Sequence, residues 1–228
     1  MSAGRFLTLC VVLGGILLGC NGSSSLRPPV KSSKATITKQ PLAFASRTFD
    51  PASPPPDMPP LAPGEEAECD SNFISSANVG GQTRKTDATH AFVTVRQIDI
   101  DLQLKVTIWA PASATPHIIE HEQGHRQIAE HYYDTADQIA QRIADGYIGQ
   151  VVEINGTDLS AESSKALQQI ATEITDKYNK ELNPDAAQLL YDSITDHGRN
   201  EVIVKDAVAA AIKNVSAESI QPAINTAN

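Results

Sequence analysis

The stretch IDIDLQLKVTI, residues 98 to 108, alternates strictly between apolar and polar side chains. Its apolar members are Ile98, Ile100, Leu102, Leu104, Val106 and Ile108. Because successive side chains of a β-strand point to opposite faces, this pattern predicts a strand with one buried and one solvated face. The segment FVTV, residues 92 to 95, predicts a partner strand or the start of a hairpin.

Helical spacing of apolar residues follows this strand. Thr115 and Pro116 are typical of an N-cap and a first helical position, and Gly146 is typical of a helix end. Helices are predicted over residues 116–145, 160–182 and 184–196, with a short strand or loop at VVEINGTDL, residues 151–159. We therefore expect an α+β domain in which a small antiparallel or mixed sheet has its helices packed on one side.

The N-terminus has the features of a secretory signal. An apolar run, FLTLCVVLGGILLGC, follows Arg5 and is too short for a mature transmembrane helix. Its end, Leu17 to Cys20, resembles the bacterial lipobox, which predicts a signal peptide over residues 1–19 and lipidation of Cys20. An ordinary signal peptide that contains Cys20, or an uncleaved anchor, are the alternatives. By the same resemblance, Asn21 indicates the outer membrane of a bacterial cell envelope, with the acylated Cys20 in the lipid.

Residues 20–68 are predicted to be a disordered tether, because the segment from residue 21 onward holds ten of the 14 prolines and shows no apolar period. The folded domain is then expected over residues 69–228. Cys69 is the one cysteine left in that domain, so an internal disulfide is excluded. We expect Cys69 to be a buried apolar side chain, in preference to a metal ligand or an intermolecular partner.

The formal net charge of −9 and the lack of any basic run exclude nucleic acid as the expected partner, because phosphate binding needs clustered lysine and arginine.

The pentapeptide HEQGH, residues 121 to 125, has the His-Glu-x-x-His spacing of a zinc-hydrolase helix. Histidines four residues apart lie one turn above each other, so His121 and His125 can bind one zinc ion. Glu122 is rotated by about 100° around the helix and can take a proton from a metal-bound water. Gly124 destabilises a helix interior by about 1 kcal/mol, which indicates a close approach to the helix backbone by a strand or ligand.

Geometry leaves the third ligand open. On a continuous helix His131 points about 80° away from His121 and about 120° from His125, so His131 is predicted to be exposed or to lie behind the ligands. Glu130 is excluded by the same rotation. His197 is the one histidine after this helix, and it ends the third predicted helix. On spacing alone, His197 fits two roles equally well. It can be a metal ligand, or an ordinary histidine in the last turn of a helix, where the helix dipole favours it.

The HEQGH helix and the later segment YDSITDHG, residues 191 to 198, together resemble a bacterial family of predicted secreted zinc-dependent proteases (domain of unknown function 922). The resemblance covers about residues 72–200 and implies a zincin-like fold and protease activity. It favours His197 as the third zinc ligand over Asp192 or a position filled by water. It also implies that Tyr191 and Asp192 orient a ligand or stabilise an oxyanion.

Two functions are compatible with these observations. The first is a lipid-anchored zinc metallopeptidase that cleaves peptides or proteins, with the strand over residues 98–108 lining an extended-peptide groove. The second is a non-catalytic envelope lipoprotein with a structural zinc site or no metal. A structural zinc site normally has four protein ligands, and Cys69 or Asp192 could supply the fourth.

Overall fold

Within residues 34–61 and 64–218, which the computed structural model describes, the chain forms five strands and five helices. The strands are β1 (Lys34–Lys39), β2 (Ala43–Phe49), β3 (Glu68–Lys85), β4 (His90–Pro111) and β5 (Val151–Asn155). The helices are α1 (Pro116–Asp134), α2 (Ala136–Tyr147), α3 (Leu159–Glu181), α4 (Asp185–Thr195) and α5 (Val204–Glu218). The predicted α+β class is confirmed.

The long strand β4 is the centre of the sheet and is paired along both sides. β3 runs antiparallel along one side, opposite residues 91–109 of β4. Along the other side, β5 pairs antiparallel with residues 90–94, and β1 and β2 pair parallel with residues 97–102 and 105–111. The sheet is therefore mixed, and the purely antiparallel alternative is wrong.

The predicted alternation is confirmed in β4, where none of the six apolar side chains from Ile98 to Ile108 is more than 2% exposed. FVTV is not a separate partner strand, because Phe92–Val95 belongs to β4 itself; it lies at the start of the antiparallel hairpin that β4 forms with β3. The antiparallel partner is β3, whose middle part, SSANVGG, is rich in small and polar residues. β3 lacks the strict alternation of β4 and was not recognised for that reason.

Helices α1, α2 and α3 cover the face of the sheet that carries the apolar side chains of β4. Ala129 and Tyr133 of α1 pack there together with residues of α2 and α3, including Ala140, Ile143 and Ile174. A second cluster joins the opposite side of α1 to α4 and α5 through Ile128, Ala187, Tyr191 and Ala207, among others. Helix α1 is thus held between the sheet and two later helices.

Two helices, α1 and α2, occupy the segment that was predicted to be one helix over 116–145. The chain bends at Thr135, whose backbone is non-helical (φ −98°, ψ 2°) and whose hydroxyl donates to the carbonyl of Tyr132 at 3.3 Å. The apolar stripe continues through this bend because both helices pack on the same core, so periodicity did not reveal it. The predicted start is confirmed, since the Thr115 hydroxyl accepts from the amide of Ile118.

The prediction of a disordered tether is wrong for residues 34–61 and 64–68. β1 and β2 pair along the second side of β4, and the described residues from 34 to 61 and from 64 to 218 belong to one compact unit. Lys39 at the end of β1 donates to the carbonyl of Asp134 and to the carboxylate of Asp137. Each of these strands has at most seven residues, too few for a recognisable pattern, and their pairing partners lie about 60 residues away in the sequence.

The predicted signal peptide and Cys20 lie outside the described residues. Within the described part of the chain, no helix is long and apolar enough to cross a membrane.

Candidate metal centre

Helix α1 presents Glu122 and His125 toward a cleft beside the start of β3, while His121 lines an adjoining cleft together with Glu122 and His197. His121 and Glu122 are buried, with 4% and 5% of their surfaces exposed, and the His125 side chain is 13% exposed. These burials follow from the position of α1 between the sheet and the helices α4 and α5. Polar side chains so deeply buried require partners, because an unpaired polar group in the interior is destabilising.

Helix α4 approaches α1 at Gly124, which has no side chain to obstruct it. A Cβ atom on Gly124 would lie 2.1 Å from the hydroxyl oxygen of Tyr191 and 2.4 Å from its Cζ. The Tyr191 hydroxyl donates to the carbonyl of His121 at 3.1 Å, and its ring stacks on the His121 imidazole. The expected close approach to Gly124 is confirmed, and the approaching group is a tyrosine side chain.

Asp192, the next residue along α4, faces both histidines. Its Oδ1 atom lies 2.8 Å from His125 Nε2 and 3.4 Å from His121 Nε2, and the two Nε2 atoms are 3.2 Å apart. Asp192 Oδ1 is buried, and among the described residues it has no hydrogen-bond partner. The carboxylate therefore lies within ion-pair distance of both imidazoles, and no other group among the described residues fixes its position.

The dimensions of this triangle fit zinc. Ligands at about 2.0 to 2.1 Å from a tetrahedral zinc ion are separated from one another by about 3.3 Å. The three observed separations lie close to this value. Two imidazoles and a carboxylate also form a donor set that zinc accepts. Among the described residues, His121, His125 and Asp192 form one of two groups whose ligand atoms all lie within 4.8 Å of one another.

Gln188 fixes the orientation of the His125 ring. His125 Nδ1 donates to Gln188 Oε1 at 2.6 Å, and Gln188 Nε2 donates to the carbonyl of His125 at 3.1 Å. With its proton on Nδ1, His125 has a lone pair on Nε2, which faces Asp192. Sequence reasoning missed Gln188, although it lies four residues before Asp192 and therefore on the same face of α4.

The end of α4 is shaped by its contact with His121. A Cβ atom on Gly198 would lie 2.8 Å from His121 Cγ, and Gly198 has a φ of 72°. Thr195 donates from its hydroxyl to the carbonyl of Tyr191 at 2.8 Å, inside the helix. Tyr191 and Gly198 of this segment thus contact α1 directly, and Thr195 forms its hydrogen bond inside α4.

His197 lies beside the triangle and is not one of its corners. Its Nδ1 atom is 3.3 Å from Glu65 Oε1 and 4.0 Å from Asp192 Oδ1. Glu65, Asp192 and His197 make up the second group of candidate ligands among the described residues. The structure therefore places Asp192, rather than His197, with His121 and His125. His131 is exposed, as expected, and Glu130 forms an ion pair with Arg126.

The cleft in front of the triangle is strongly acidic. It has a volume of about 320 Å³, and its lining includes the carboxylates of Glu65, Glu68, Asp70, Glu122, Asp185 and Asp192. Among the described residues of this lining, there is no lysine or arginine.

This environment shifts the pKa of several carboxyl groups. Burial, reinforced by the charges of Glu68, Glu65 and Asp192, raises the pKa of Glu122 to about 8. Burial and the neighbouring carboxylates raise the pKa of Glu68 to about 7. Burial alone would raise the pKa of Asp192 as well, but the imidazoles of His121 and His125 hold it well below its usual range.

Cys69 lines the same cleft but belongs to neither group of candidate ligands among the described residues. Its side chain is partly buried and forms no disulfide. Burial and the charge of Glu122 raise the pKa of the Cys69 thiol to about 12, so it remains protonated at neutral pH. The position of Cys69 therefore gives no support to its being a metal ligand.

No family model, curated protein or solved structure matches the chain significantly. The resemblance to secreted zinc-dependent proteases therefore stays a prediction.

Proposed function

We propose that this protein is a zinc-dependent metallopeptidase in which His121, His125 and Asp192 hold the metal and Glu122 is the general base. The observation that carries the proposal is the convergence of two Nε2 atoms and one carboxylate oxygen within 2.8 to 3.4 Å. This ligand set replaces His197, which the resemblance favoured, with Asp192.

The roles follow from the side chains that face the cleft. When bound, zinc would supply the Lewis acid that polarises a peptide carbonyl and activates water. Glu122, which lines the cleft beside His125, would accept the proton of the attacking water and return it to the leaving amine. Gln188 would keep His125 in the tautomer that binds metal.

The openness of the site favours catalysis over a structural role. A structural zinc site has four protein ligands and excludes water, whereas a catalytic site keeps one position for water or substrate. Here three side chains converge at the wall of a cleft, and Cys69 is not close enough to act as the fourth ligand.

The edge of β3 supports a peptide as the substrate. The predicted groove along residues 98–108 does not fit the fold, because β4 is paired on both sides and has no edge to offer. β3 has one paired side among the described residues, and its residues 68–71 line the cleft. An extended peptide could add to this edge by backbone hydrogen bonds, with its scissile carbonyl toward the metal. A metal-binding helix beside such an edge strand is the zincin-like arrangement that we propose.

We further propose that the enzyme acts at the bacterial cell envelope, held by the acylated Cys20. The lipobox-like sequence from Leu17 to Cys20 supports this location.

Glu122→Gln tests the function, and Glu120→Gln is its control, because Glu120 is an exposed carboxylate on the same helix. Zinc content would be measured together with chelator-sensitive hydrolysis of a fluorogenic peptide library. We expect the Glu122 variant to keep zinc and lose activity by about 10²- to 10⁴-fold, the usual contribution of a general base. Wild-type protein without zinc, or equal activity in both variants, would contradict the proposal.

A further inference from the structure

The second group of candidate ligands lies directly beside the first and shares a residue with it. Glu65 and His197 are within 3.3 Å of each other, and His197 is 4.0 Å from the Asp192 carboxylate that also faces His121 and His125. Two ligands of one ion at about 2.1 Å cannot be more than about 4.2 Å apart. Both distances satisfy that limit, and all three ligand atoms lie within 4.8 Å of one another, so a small side-chain shift would let one cation contact all three side chains.

The Asp192 carboxylate can be a ligand in both groups at once. A carboxylate has two oxygens with about four lone-pair sites, so it can bind two cations at once. Its Oδ1 atom is buried between the histidines and has no hydrogen-bond partner among the described residues. A buried acceptor of this kind is destabilising unless a cation or donor contacts it.

The backbone around His197 is unusual and directs the imidazole toward this position. Asp196 and His197 both have left-handed conformations, with φ values of 49° and 54°. Such a conformation is uncommon for residues other than glycine and persists where the surrounding structure enforces it. The two left-handed residues come directly after α4 and reverse the chain direction, so that His197 lies beside Asp192 and Glu65.

The charge of the cleft also favours bound cations. Its lining has six carboxyl groups and, among the described residues, no lysine or arginine, while Arg199 lines the adjoining cleft with Glu65 and His197. A cleft lined mainly by one sign of charge attracts counter-ions. Two cations that share a carboxylate, about 3.5 to 4 Å apart, are a known arrangement in hydrolytic enzymes.

We propose that Glu65, Asp192 and His197 bind a second divalent transition-metal ion, and that Asp192 bridges it to the zinc ion held by His121 and His125. The proposal rests on the proposed function through the shared Asp192. The second ion also joins the segment before β3, which contains Glu65, to the end of α4. The chain is thus expected to have a dinuclear centre, with zinc or manganese in the second position because one imidazole and two carboxylates suit either ion.

Metal stoichiometry tests this assignment. The full chain, freed of metal with a chelator, would be equilibrated with buffered zinc, and bound zinc would be counted by mass spectrometry. We expect two zinc ions per wild-type chain and one in Glu65→Gln and in His197→Ala. Glu66→Gln and His131→Ala are the matched controls, because both side chains are exposed and outside the two groups, and they should keep two ions.

Zinc counts in variants of the two sites distinguish failure of this inference from failure of the proposed function. One zinc ion per wild-type chain, lost in His121→Ala and kept in Glu65→Gln, would overturn the second site and leave the first intact. No bound zinc in the wild type would overturn both. Loss of all zinc in His197→Ala, with one ion in the wild type, would make His197 a ligand of the first site and refute our assignment.

Manganese provides a readout that does not depend on activity. Two Mn²⁺ ions bridged by one carboxylate are magnetically coupled, and their electron paramagnetic resonance spectrum differs from that of an isolated ion. We expect the coupled spectrum in the wild type and in Glu66→Gln, and the spectrum of an isolated ion in Glu65→Gln. An isolated-ion spectrum in the wild type at saturating manganese would refute a bridged pair.

Discussion

Gly124→Ala should destabilise this protein although alanine is the better helix former. The added Cβ would lie 2.1 Å from the Tyr191 hydroxyl oxygen, 2.4 Å from Cζ and 3.0 Å from Cε1. Tyr191 has no exposed surface, so its ring cannot move aside without disturbing the packing of α1 against α4 and α5. The substitution therefore tests the helix contact that places Asp192 near the two histidines.

Three terms give the magnitude. Overpacking of a filled core destabilises by about 1 to 3 kcal/mol, and contacts this short belong at the upper end. A displaced ring also loses the hydrogen bond from Tyr191 to the carbonyl of His121, worth about 1 kcal/mol. Alanine's helix propensity offsets about 1 kcal/mol of this loss. We expect a net loss of about 3 kcal/mol.

Urea unfolding in the presence of excess chelator is the suitable assay, because it separates packing from metal binding. With an m-value of about 3 kcal/mol per molar, the midpoint should fall by about 1 M. Gly146→Ala is the matched control, since no atom lies within 4 Å of its added Cβ on α2. That variant should be unchanged or more stable by up to about 1 kcal/mol.

A double-mutant cycle identifies the clashing group. In the Tyr191→Leu background the cost of Gly124→Ala should fall by at least about 1 kcal/mol, because the hydroxyl and ring carbons are gone. The proposed clash is refuted if Gly124→Ala is as stable as Gly146→Ala. It is also refuted if the cost is the same with and without the tyrosine ring.

Three further substitutions have defined outcomes. Gln188→Ala should weaken zinc binding by about 10- to 100-fold in a chelator competition, because His125 loses the acceptor that orients it; unchanged affinity would exclude that role. Gly198→Ala should lower the thermal midpoint measured without metal, because its Cβ would meet His121 and its left-handed backbone disfavours alanine; an unchanged midpoint would contradict the close contact. Thr115→Ala should lower the free energy of unfolding by about 1 kcal/mol through loss of the N-cap, and Thr115→Ser should retain most of it; equal losses in both variants would show that the cap is not the cause.

Much of the fold was predictable wherever a periodic pattern of apolar residues, or a helix-capping signal, lies within one continuous segment of the sequence. The alternation in residues 98–108 identified the central strand, because eleven residues of period two leave few other structures possible. The start of α1 was marked by Thr115 and Pro116, and α3 and α4 were found within one or two residues of their observed bounds. Such signals depend on neighbours within one or two helical turns.

The strands β1 and β2 were missed because their partners are far away in the sequence. Short segments among prolines become strands here only because β4 offers an unpaired side to them. The bend at Thr135 was missed for a related reason, since the tertiary core continues the apolar stripe across both helices. Glu65 gave no signal at all, because its place in the cleft depends on where β3 begins.

The sequence by itself determined the half of the site that lies on one helix. The 3.6-residue period places His121 and His125 on one face and Glu122 beside them, whatever the rest of the chain does. Only the tertiary structure decided which residue lies with them, because Asp192 and His197 are five residues apart on the same segment and the resemblance favoured His197. The contact of Tyr191 with Gly124 and of Gly198 with His121 sets how α4 lies against α1. That packing directs Asp192 toward both Nε2 atoms and leaves His197 with Glu65.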